Sequence, residues 1–286
     1  MRMADLRGKV VVITGATSGI GSIAAEELAA MGARIVLVAR DKSRAEAELE
    51  RLGAKGPAAH TVHYADLSRL DEMKRVGHEI AAAEPRIDLL INNAGALFGQ
   101  RGVTPDGLEM TFATNHMSYF VLTEMLRERL VASAPARVIN TSSDAHRRAH
   151  IDFSDLQSAK HYRAFAVYSL SKLCNILYTR ELARSFAGKG VTANSLHPGF
   201  VATRFGDHSG GAFSVVIRMA KSFAITPEKG AETIVYLASS GDVANVTGEY
   251  FYKCRITPPA QEAQDDKAAR RLWAESMKLA AVGVTQ

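Results

Sequence analysis

The chain has 286 residues, of which 47% are hydrophobic and 23% are charged, an ordinary composition for a globular protein with a substantial core. Its net charge of +5 comes from basic residues scattered among acidic ones, which argues against a nucleic-acid-binding surface. Two distant cysteines give neither a disulfide framework nor a metal cluster. With no signal peptide and no run of ~20 apolar residues, we expect a cytoplasmic protein without a membrane span.

The first motif joins a predicted buried strand over residues 9–14 to a helical pattern over residues 23–31. The turn between them is rich in glycine, and glycines let a pyrophosphate approach the backbone amides and the helix N-terminus. In this strand–turn–helix context the motif predicts a dinucleotide cradle rather than a plain βα turn. The candidate cofactor contacts in the turn are Gly15, Thr17, Ser18, Gly19, Ile20 and Gly21.

The end of the second predicted strand, residues 34–39, indicates which dinucleotide binds. NAD-binding proteins carry an acidic residue there for the ribose 2′-hydroxyl, whereas this chain has Ala39 and then Arg40. One charge-assisted bond from an arginine to a 2′-phosphate contributes ~1.5–3 kcal/mol. We therefore predict NADP(H) over NAD(H), with Asp41 offsetting part of the Arg40 charge.

The third predicted strand, residues 60–64, leads to Asp66 and Leu67. Asp66 is predicted to hold the adenine amino group, to N-cap the helix predicted over residues 69–83, or both. His60 and His63 lie three apart on the strand and face opposite ways, so we expect no metal site there.

The fourth predicted strand, residues 87–91, ends in Asn92-Asn93-Ala94-Gly95. Small and amide residues at this point suit a backbone that passes close to a cofactor. As an isolated tetrapeptide the sequence would indicate only a turn.

Tyr168 and Lys172 lie four residues apart in a predicted helix over residues 164–186, so they share one helix face. A free phenol titrates near 10 and is a poor proton shuttle at neutral pH. A cation ~4 Å away at an effective dielectric constant near 20 contributes ~4 kcal/mol. That is enough to bring the phenol pKa toward neutrality, which makes the pair a candidate acid/base device. The alternative is an amphipathic helix with a surface lysine.

Five motifs occur in the order and spacing of the short-chain dehydrogenase/reductase family, which residues 8 to about 252 resemble. They are Thr14-Gly15-x-x-x-Gly19-x-Gly21, Asn92-Asn93-Ala94-Gly95, Ser143, Tyr168-x-x-x-Lys172 and His197-Pro198-Gly199. Within the family the chain looks like the retinol-dehydrogenase-like branch at Asn115-His116 and at residues 140–148, 168–175 and 270–273.

The resemblance implies that Tyr168 donates or accepts the proton, and that Lys172 lowers its pKa and holds the nicotinamide ribose. It implies that Ser143, rather than the adjacent Ser142, bonds the substrate oxygen, and that Asn115 supports a water linking Lys172 to solvent. Asn115 lies in a helical pattern over residues 108–130, and without the resemblance it would be interpreted as a core hydrogen-bonding residue. Further cofactor contacts are implied at Asp66, Leu67, Asn92, Ala94, Gly95, Tyr168, Lys172, Pro198, Gly199, Val201 and Thr203.

Two segments stay open at this stage, and His197 and the tail each have one prediction. The polar segment 145–163 is either a solvated loop or an edge of the substrate mouth. His197 is expected to pack or to bond backbone rather than to catalyse. The apolar stretch that ends near residue 225 is a substrate lid, a core helix or a membrane-surface contact. The tail over residues 261–279 is predicted to be an amphipathic surface helix.

We therefore expect a single α/β domain with a doubly wound, Rossmann-type parallel sheet. Its parts are a cofactor half (about 8–110), a catalytic half (about 111–252), a lid (about 200–225) and a tail (253–286). The expected function is NADP(H)-dependent interconversion of a carbonyl and an alcohol on a lipophilic small molecule. A non-catalytic dinucleotide-sensing module and an isomerase or dehydratase with tightly held NAD are the alternatives. The family resemblance implies a homodimer or homotetramer that pairs through the helices holding Asn115 and Tyr168.

Overall fold

A computed structural model describes residues 5–56, 58–200 and 225–281. Its strands are β1 (Val10–Thr14), β2 (Arg34–Ala39), β3 (Thr61–Tyr64), β4 (Leu89–Asn92), β5 (Ala136–Thr141), β6 (Val191–Leu196), β7 (Tyr250–Tyr252) and β8 (Arg255–Ile256). They form one sheet in the order β3-β2-β1-β4-β5-β6-β7-β8. Strands β1 to β7 are parallel, and only the short β8 pairs antiparallel with its neighbour.

The helices cover both faces of the sheet. They are α1 (Gly19–Ala30), α2 (Lys42–Gly53), α3 (Leu70–Ala83), α4 (Met110–Phe112), α5 (Ser118–Ala132), α6 (Ala164–Ser185), α7 (Pro227–Ser239) and α8 (Asp266–Ala281). Successive strand residues belong to opposite layers: Val12 packs with the cluster under α3, α5 and α6, whereas Val11 and Ile13 pack with the cluster under α1 and α7. Burial on both faces explains why the strands are continuous apolar runs.

The helix predicted from residue 108 to residue 130 is one rod with a change of winding. A π-helical turn, Ala113–Met117, separates α4 from α5. Such a turn shifts the backbone hydrogen bonds by one residue and is frequent at functional sites. Asn115 lies in the middle of it.

The tail contains the predicted amphipathic helix, α8, which begins at Asp266 and buries one face. A short 3₁₀ turn, Gln261–Gln264, precedes α8, which packs along α6. The Trp273 ring is stacked on Tyr178 at 5.7 Å between centroids and meets Phe120 edge-on at 5.2 Å. The C-terminal segment is therefore part of the core on that side of the sheet.

The sheet order confirms the predicted doubly wound parallel fold. The strands predicted over residues 9–14, 34–39, 60–64 and 87–91 lie within two residues of their observed bounds, but α2 and β8 were not predicted. The proposed lid lies almost wholly within residues 201–224, which are outside the described residues. Among the helices of the described part, none is both long and apolar enough to cross a membrane.

Gly77 sets the distance between α3 and α5. A Cβ atom there would lie 2.4 Å from Met125 Cβ, whereas a Cβ at Gly53, on α2, meets nothing within 4 Å. Overpacking of this kind costs about 1–3 kcal/mol. We expect Gly77→Ala to lower the free energy of unfolding by about that amount in urea titrations. Gly53→Ala is the matched control and should be neutral or slightly stabilising; equal effects of the two changes would contradict this packing argument.

Candidate active site

The carboxyl ends of β1 and β4 are joined by hydrogen bonds at the start of the glycine turn. Thr14 Oγ1 accepts from the backbone N–H groups of Asn93 and Ala94, both at 3.0 Å. Asn93 Nδ2 donates to the carbonyl oxygen of Gly15 at 3.1 Å. Asn93 therefore fixes the turn, although sequence reasoning assigned a contact to Asn92.

Asn92 turns the other way. Its side chain is fully buried, and Nδ2 donates to Thr123 Oγ1 at 3.0 Å and to Asn140 Oδ1 at 2.9 Å. Any contact between Asn92 and a cofactor would therefore involve its backbone. Adjacent residues at a strand end point to opposite sides, and the sequence alone did not show which of the two asparagines faces the turn.

The glycine turn has the geometry of a phosphate cradle. Gly15 and Gly19 have φ angles of 66° and 60°, which L side chains rarely adopt. A Cβ at Gly21 would lie 2.4 Å from the carbonyl oxygen of Gly15. The first turn of α1 has no acidic residue, and the side chain of Ser18 makes no capping hydrogen bond. Its amide groups are thus left for an anion, and this part of the chain fits a dinucleotide pyrophosphate.

Arg40 lies exposed at the end of β2. The neighbouring Asp41 caps α2, because its carboxylate accepts from the backbone N–H of Arg44 at 3.0 Å and lies 3.7 Å from the Arg44 guanidinium. No ion pair to Arg40 occurs in the described part of the chain. Asp41 therefore offsets the charge of Arg40 less than the sequence suggested.

Asp66 does not N-cap α3, so that alternative is wrong. The N-cap is Arg69. The N–H of Leu70, the first helical residue, donates to the carboxylate of the distant Asp106 at 2.9 Å. Asp66 instead closes a turn by accepting from the N–H and the hydroxyl of Ser68 at 3.0 and 2.8 Å. The adjacent Leu67 is buried. Asp106 is far away in the chain, so local sequence did not identify it.

Helix α6 brings Tyr168 and Lys172 to the end of β5. The Tyr168 hydroxyl lies beside the side chain of Ser143, which follows that strand region. Lys172 Nζ donates to the carbonyl oxygen of Thr141 at 3.1 Å and lies 5.6 Å from the centre of the Tyr168 ring. The neighbouring Ser142 is buried and donates to the Lys172 carbonyl oxygen at 2.8 Å. The structure thus places Ser143, and not Ser142, against Tyr168.

Asn115 reaches the same place from the π-helical turn. Its amide group makes a reciprocal pair with the backbone of Ala96, at 2.7 and 2.9 Å, and donates to Ser171 Oγ at 3.0 Å. A Cβ at Gly95 would lie 3.4 Å from both Asn115 Oδ1 and Lys172 Nζ. The Gly95 backbone therefore passes directly beside both groups, so the predicted site residues Gly95, Asn115 and Lys172 lie together.

Electrostatics at this point differ from the sequence prediction. Burial raises the pKa of Tyr168 to about 12, which the side chain of Ser143 opposes. Burial also lowers the pKa of Lys172 to about 7. The predicted lowering of the Tyr168 pKa by Lys172 is thus wrong. Each charged form is disfavoured because burial removes it from water.

Two further residues surround Lys172 and were missed as site residues. Tyr119 donates from its hydroxyl to the carbonyl oxygen of Ala94 at 2.9 Å, and its ring centre lies 5.7 Å from Lys172 Nζ. Asn175 Nδ2 donates to the carbonyl oxygens of Asn115 at 2.9 Å and Thr141 at 3.3 Å. The spacing of Tyr119 four residues after Asn115, and of Asn175 three residues after Lys172, was the available signal.

At the end of β6, His197 bonds backbone as expected. Its Nδ1 accepts from the N–H of Gly199 at 3.0 Å, and its ring is stacked on Tyr252 at 4.1 Å. Gly199, with φ at 91°, follows Pro198. The predicted cofactor contacts Val201 and Thr203 lie outside the described residues.

Residues 145–163 form mostly a loop at the surface, which agrees with the first of the two alternatives. His146 is fully buried on a 3₁₀ turn, Asp144–Arg148. Only part of the segment is exposed, including His150.

His60 and His63 were predicted to face opposite ways, and they have different partners. His60 accepts from the N–H of Ile35, whereas His63 lies 3.6 Å from Glu79.

Comparison with known proteins gives consistent relatives. The short chain dehydrogenase family model matches residues 9–210. Human retinol dehydrogenase 13 is 41% identical over 283 residues, covering 96% of this chain and 86% of that protein. Human retinol dehydrogenase 12 is 39% identical over 276 residues, covering 96% of this chain and 87% of that protein.

The chain belongs to the short-chain dehydrogenase/reductase family.

Solved structures agree. A protein from Mycobacterium paratuberculosis has a TM-score of 0.78 at 30% identity, covering 98% of this chain and 96% of that one. The NADP complex of RhlG from Pseudomonas aeruginosa has a TM-score of 0.69 at 28% identity, covering 91% of this chain and 98% of that one. This short-chain dehydrogenase/reductase is therefore a retinol-dehydrogenase-like oxidoreductase that uses NAD(P) and acts on CH–OH groups.

The lowered pKa of Lys172 makes the stability of this short-chain dehydrogenase/reductase depend on pH. Between about 7 and the usual 10.5, the unfolded chain holds the proton more firmly than the folded one, so stability rises with pH in this window. Lys172→Met removes the titration. We expect wild type to gain roughly 1.4 kcal/mol per pH unit relative to this variant between pH 7 and 10. Urea unfolding at several pH values measures the difference, and a difference that does not change with pH would contradict the assigned pKa.

Proposed function

We propose that this enzyme is an NADP(H)-dependent oxidoreductase that interconverts a carbonyl and an alcohol on a lipophilic substrate, with Tyr168 and Lys172 as its proton shuttle. The observation that carries the proposal is the placement of the Tyr168 and Ser143 side chains together beside a buried Lys172. A donor pair and a titratable amine at the carboxyl edge of a parallel sheet suit the polarisation of a carbonyl oxygen.

In the reductive direction, the hydroxyl groups of Ser143 and Tyr168 donate hydrogen bonds to the substrate oxygen. The raised pKa keeps Tyr168 protonated at neutral pH, so the phenol is ready to give its proton to the alkoxide that develops. When bound, NADPH supplies the hydride. Lys172, with a pKa near 7, stabilises the phenolate that remains and can pass it a proton. These interactions strengthen as negative charge develops, which is what accelerates the reaction.

The cofactor would be held by the glycine turn and by backbone along the strand ends. Among the described residues Lys172 has one hydrogen-bond acceptor, Thr141, so its remaining N–H donors are available to the nicotinamide ribose. Asn115 supports this arrangement through its contacts with Ala96 and Ser171. The other proposed contacts are Gly15, Thr17, Ser18, Gly19, Ile20, Gly21, Asp66, Leu67, Asn92, Ala94, Gly95, Pro198, Gly199, Val201 and Thr203.

Preference for NADP(H) is supported by Arg40. The guanidinium has no ion pair among the described residues, while Asp41 is engaged by the N-terminus of α2. An arginine in this state at the end of β2 suits the 2′-phosphate, because the guanidinium binds phosphate oxygens in a bidentate manner. The RhlG relative was solved with NADP.

A lipophilic substrate is supported by apolar side chains around the site. Phe165 is 39% exposed and lies 6.3 Å from the Tyr168 ring, between ring centres. Phe200 and Ile225 are 54% and 36% exposed beside Gly199. Exposed apolar groups that cluster at a site favour an apolar ligand. The relatives named retinol dehydrogenases act, by their names, on a lipophilic alcohol.

Tyr168→Phe tests the proton shuttle. Loss of a general acid lowers turnover about 10²- to 10⁴-fold, so we expect kcat for a panel of aldehydes and ketones, followed by NADPH absorbance, to fall within that range. NADPH binding should change less than about threefold, since the cofactor is bound mainly elsewhere. Tyr178→Phe, on the same helix, is the control and should keep kcat within about twofold. Turnover by the Tyr168→Phe variant at the wild-type rate would overturn the mechanism, and binding without any turnover by wild type would favour a dinucleotide sensor.

Arg40→Asp tests the cofactor preference. The change removes a phosphate-binding cation and adds a repelling carboxylate, so we expect the Kd for NADPH to rise at least ~10-fold. The Kd for NADH, which lacks the 2′-phosphate, is the internal control and should stay the same or fall. Fluorescence titration measures both. Equal weakening of the two cofactors would show that Arg40 acts on the fold and not on the phosphate.

A further inference from the structure

His146 bridges the backbone of Ser143 and the C-terminal segment. Its ring is fully buried, with Nδ1 2.7 Å from the carbonyl oxygen of Ser143 and Nε2 3.0 Å from the backbone nitrogen of Ala260. The Tyr250 ring meets it edge-on at 5.1 Å between centroids. Residue 260 lies in the loop before α8, so the bridge joins segments 114 residues apart in sequence.

The two partners determine the tautomer. A backbone N–H can only donate, so Nε2 of His146 must carry a lone pair toward Ala260. A carbonyl oxygen can only accept, so Nδ1 must carry the proton and donate it to Ser143. The neutral ring satisfies both partners, whereas a protonated ring would place Nε2–H against the N–H of Ala260. Burial lowers the pKa of His146 and so favours this neutral form.

Two neighbouring contacts tie the same loop to the same segment without touching Ser143. Arg147 donates to the carbonyl oxygen of Pro258 at 2.8 Å, and His150 lies 2.8 Å from Glu262 Oε1. Both side chains are at least partly exposed, as the 39% and 79% exposed fractions of Arg147 and His150 show. Of the three connections, only that of His146 is buried and only it reaches Ser143.

We propose that His146 is a positioning residue for Ser143, held in its Nδ1–H tautomer by the backbone of the C-terminal segment at Ala260. The ring adds a second donor to the Ser143 carbonyl, which also accepts from the His146 backbone N–H at 3.1 Å, and so fixes the residue whose side chain lies beside Tyr168. This inference rests on the proposed role of Ser143 in polarising the substrate oxygen.

Two substitutions separate the two hydrogen bonds of His146. The amide nitrogen of an asparagine can take the place of Nδ1 and keep the bond to Ser143, whereas the amide oxygen of a glutamine can take the place of Nε2 and keep only the bond from Ala260. A misplacement of ~1 Å costs up to ~100-fold in rate. We expect kcat of His146→Gln to fall at least ~10-fold and that of His146→Asn to fall less than ~3-fold. His150→Ala, which removes only a loop-to-tail contact, should stay within about twofold.

A double-mutant cycle with Ser143→Ala distinguishes positioning from general stability. Because His146 acts through Ser143, His146→Gln should lower kcat less than ~2-fold in the Ser143→Ala background. NADPH Kd should be unchanged in every variant. An equal loss in both backgrounds, or equal kcat for the Gln and Asn variants, would overturn the inference. If Ser143→Ala alone leaves kcat unchanged, the proposed function of Ser143 fails instead.

The tautomer can also be read in the unmodified enzyme. In a ¹⁵N spectrum of histidine-labelled protein, His146 should show a protonated Nδ1 and an unprotonated Nε2, assigned from the signal missing in whichever His146 variant folds. This measurement does not depend on the activity of a variant. A protonated Nε2 in the wild-type protein would overturn the inference.

Discussion

The candidate site is organised around an amine that is buried without a carboxylate among the described residues. Lys172 is 3% exposed, and its partner is the carbonyl oxygen of Thr141 at the end of β5. An ion pair would hold the amine charged and fixed, whereas a neutral acceptor leaves its charge free to change near pH 7. The same carbonyl accepts from Asn175 at 3.3 Å and from the Tyr119 hydroxyl at 3.4 Å. Three groups therefore share the two lone pairs of the Thr141 carbonyl oxygen. This oxygen anchors Lys172 but takes up only one of the three N–H donors of the amine.

Two buried histidines connect this centre to the C-terminal segment. His146 joins the Ser143 backbone to Ala260, and His116 lies between Asn175 at 3.4 Å and Ser276 Oγ, on α8, at 2.9 Å. Burial lowers the pKa of His116 to about 4, so both rings are neutral near pH 7 and act through hydrogen bonds rather than charge. The sheet positions the ends of the strands, and the C-terminal segment is hydrogen-bonded through these two histidines to the residues around the site. A tail that the sequence indicated only as a surface helix thus supports both the serine and the lysine side of the site.

Sequence reasoning identified those features that depend on local pattern. The strands were predictable because a parallel strand buried on both faces is a continuous apolar run, and Tyr168 and Lys172 converge because helix geometry fixes their spacing. Helix α2 was missed because its buried positions are only Ala45, Glu48 and Leu52, too few for a clear apolar period. The predicted direction of the Tyr168 pKa shift was wrong because the shift depends on burial from every side, which no local spacing records. The Ala260 partner of His146 was out of reach for the same reason.

The placement of α8 also bears on how the enzyme could pair with a second copy. Every residue from Val167 to Thr179 on α6 is buried within this single chain. Trp273 packs on Phe120 and Tyr178, and the Arg127 guanidinium lies 5.5 Å from the Trp273 ring centre, so α8 also covers the facing side of α5. Pairing through α5 and α6 along this face would require α8 to leave, which would expose the aromatic cluster and break the bond between His116 and Ser276. Exposing buried aromatic rings costs several kcal/mol. The helix that occupies this face is the one whose preceding loop holds His146, so the same segment both supports the site and covers this face of α5 and α6.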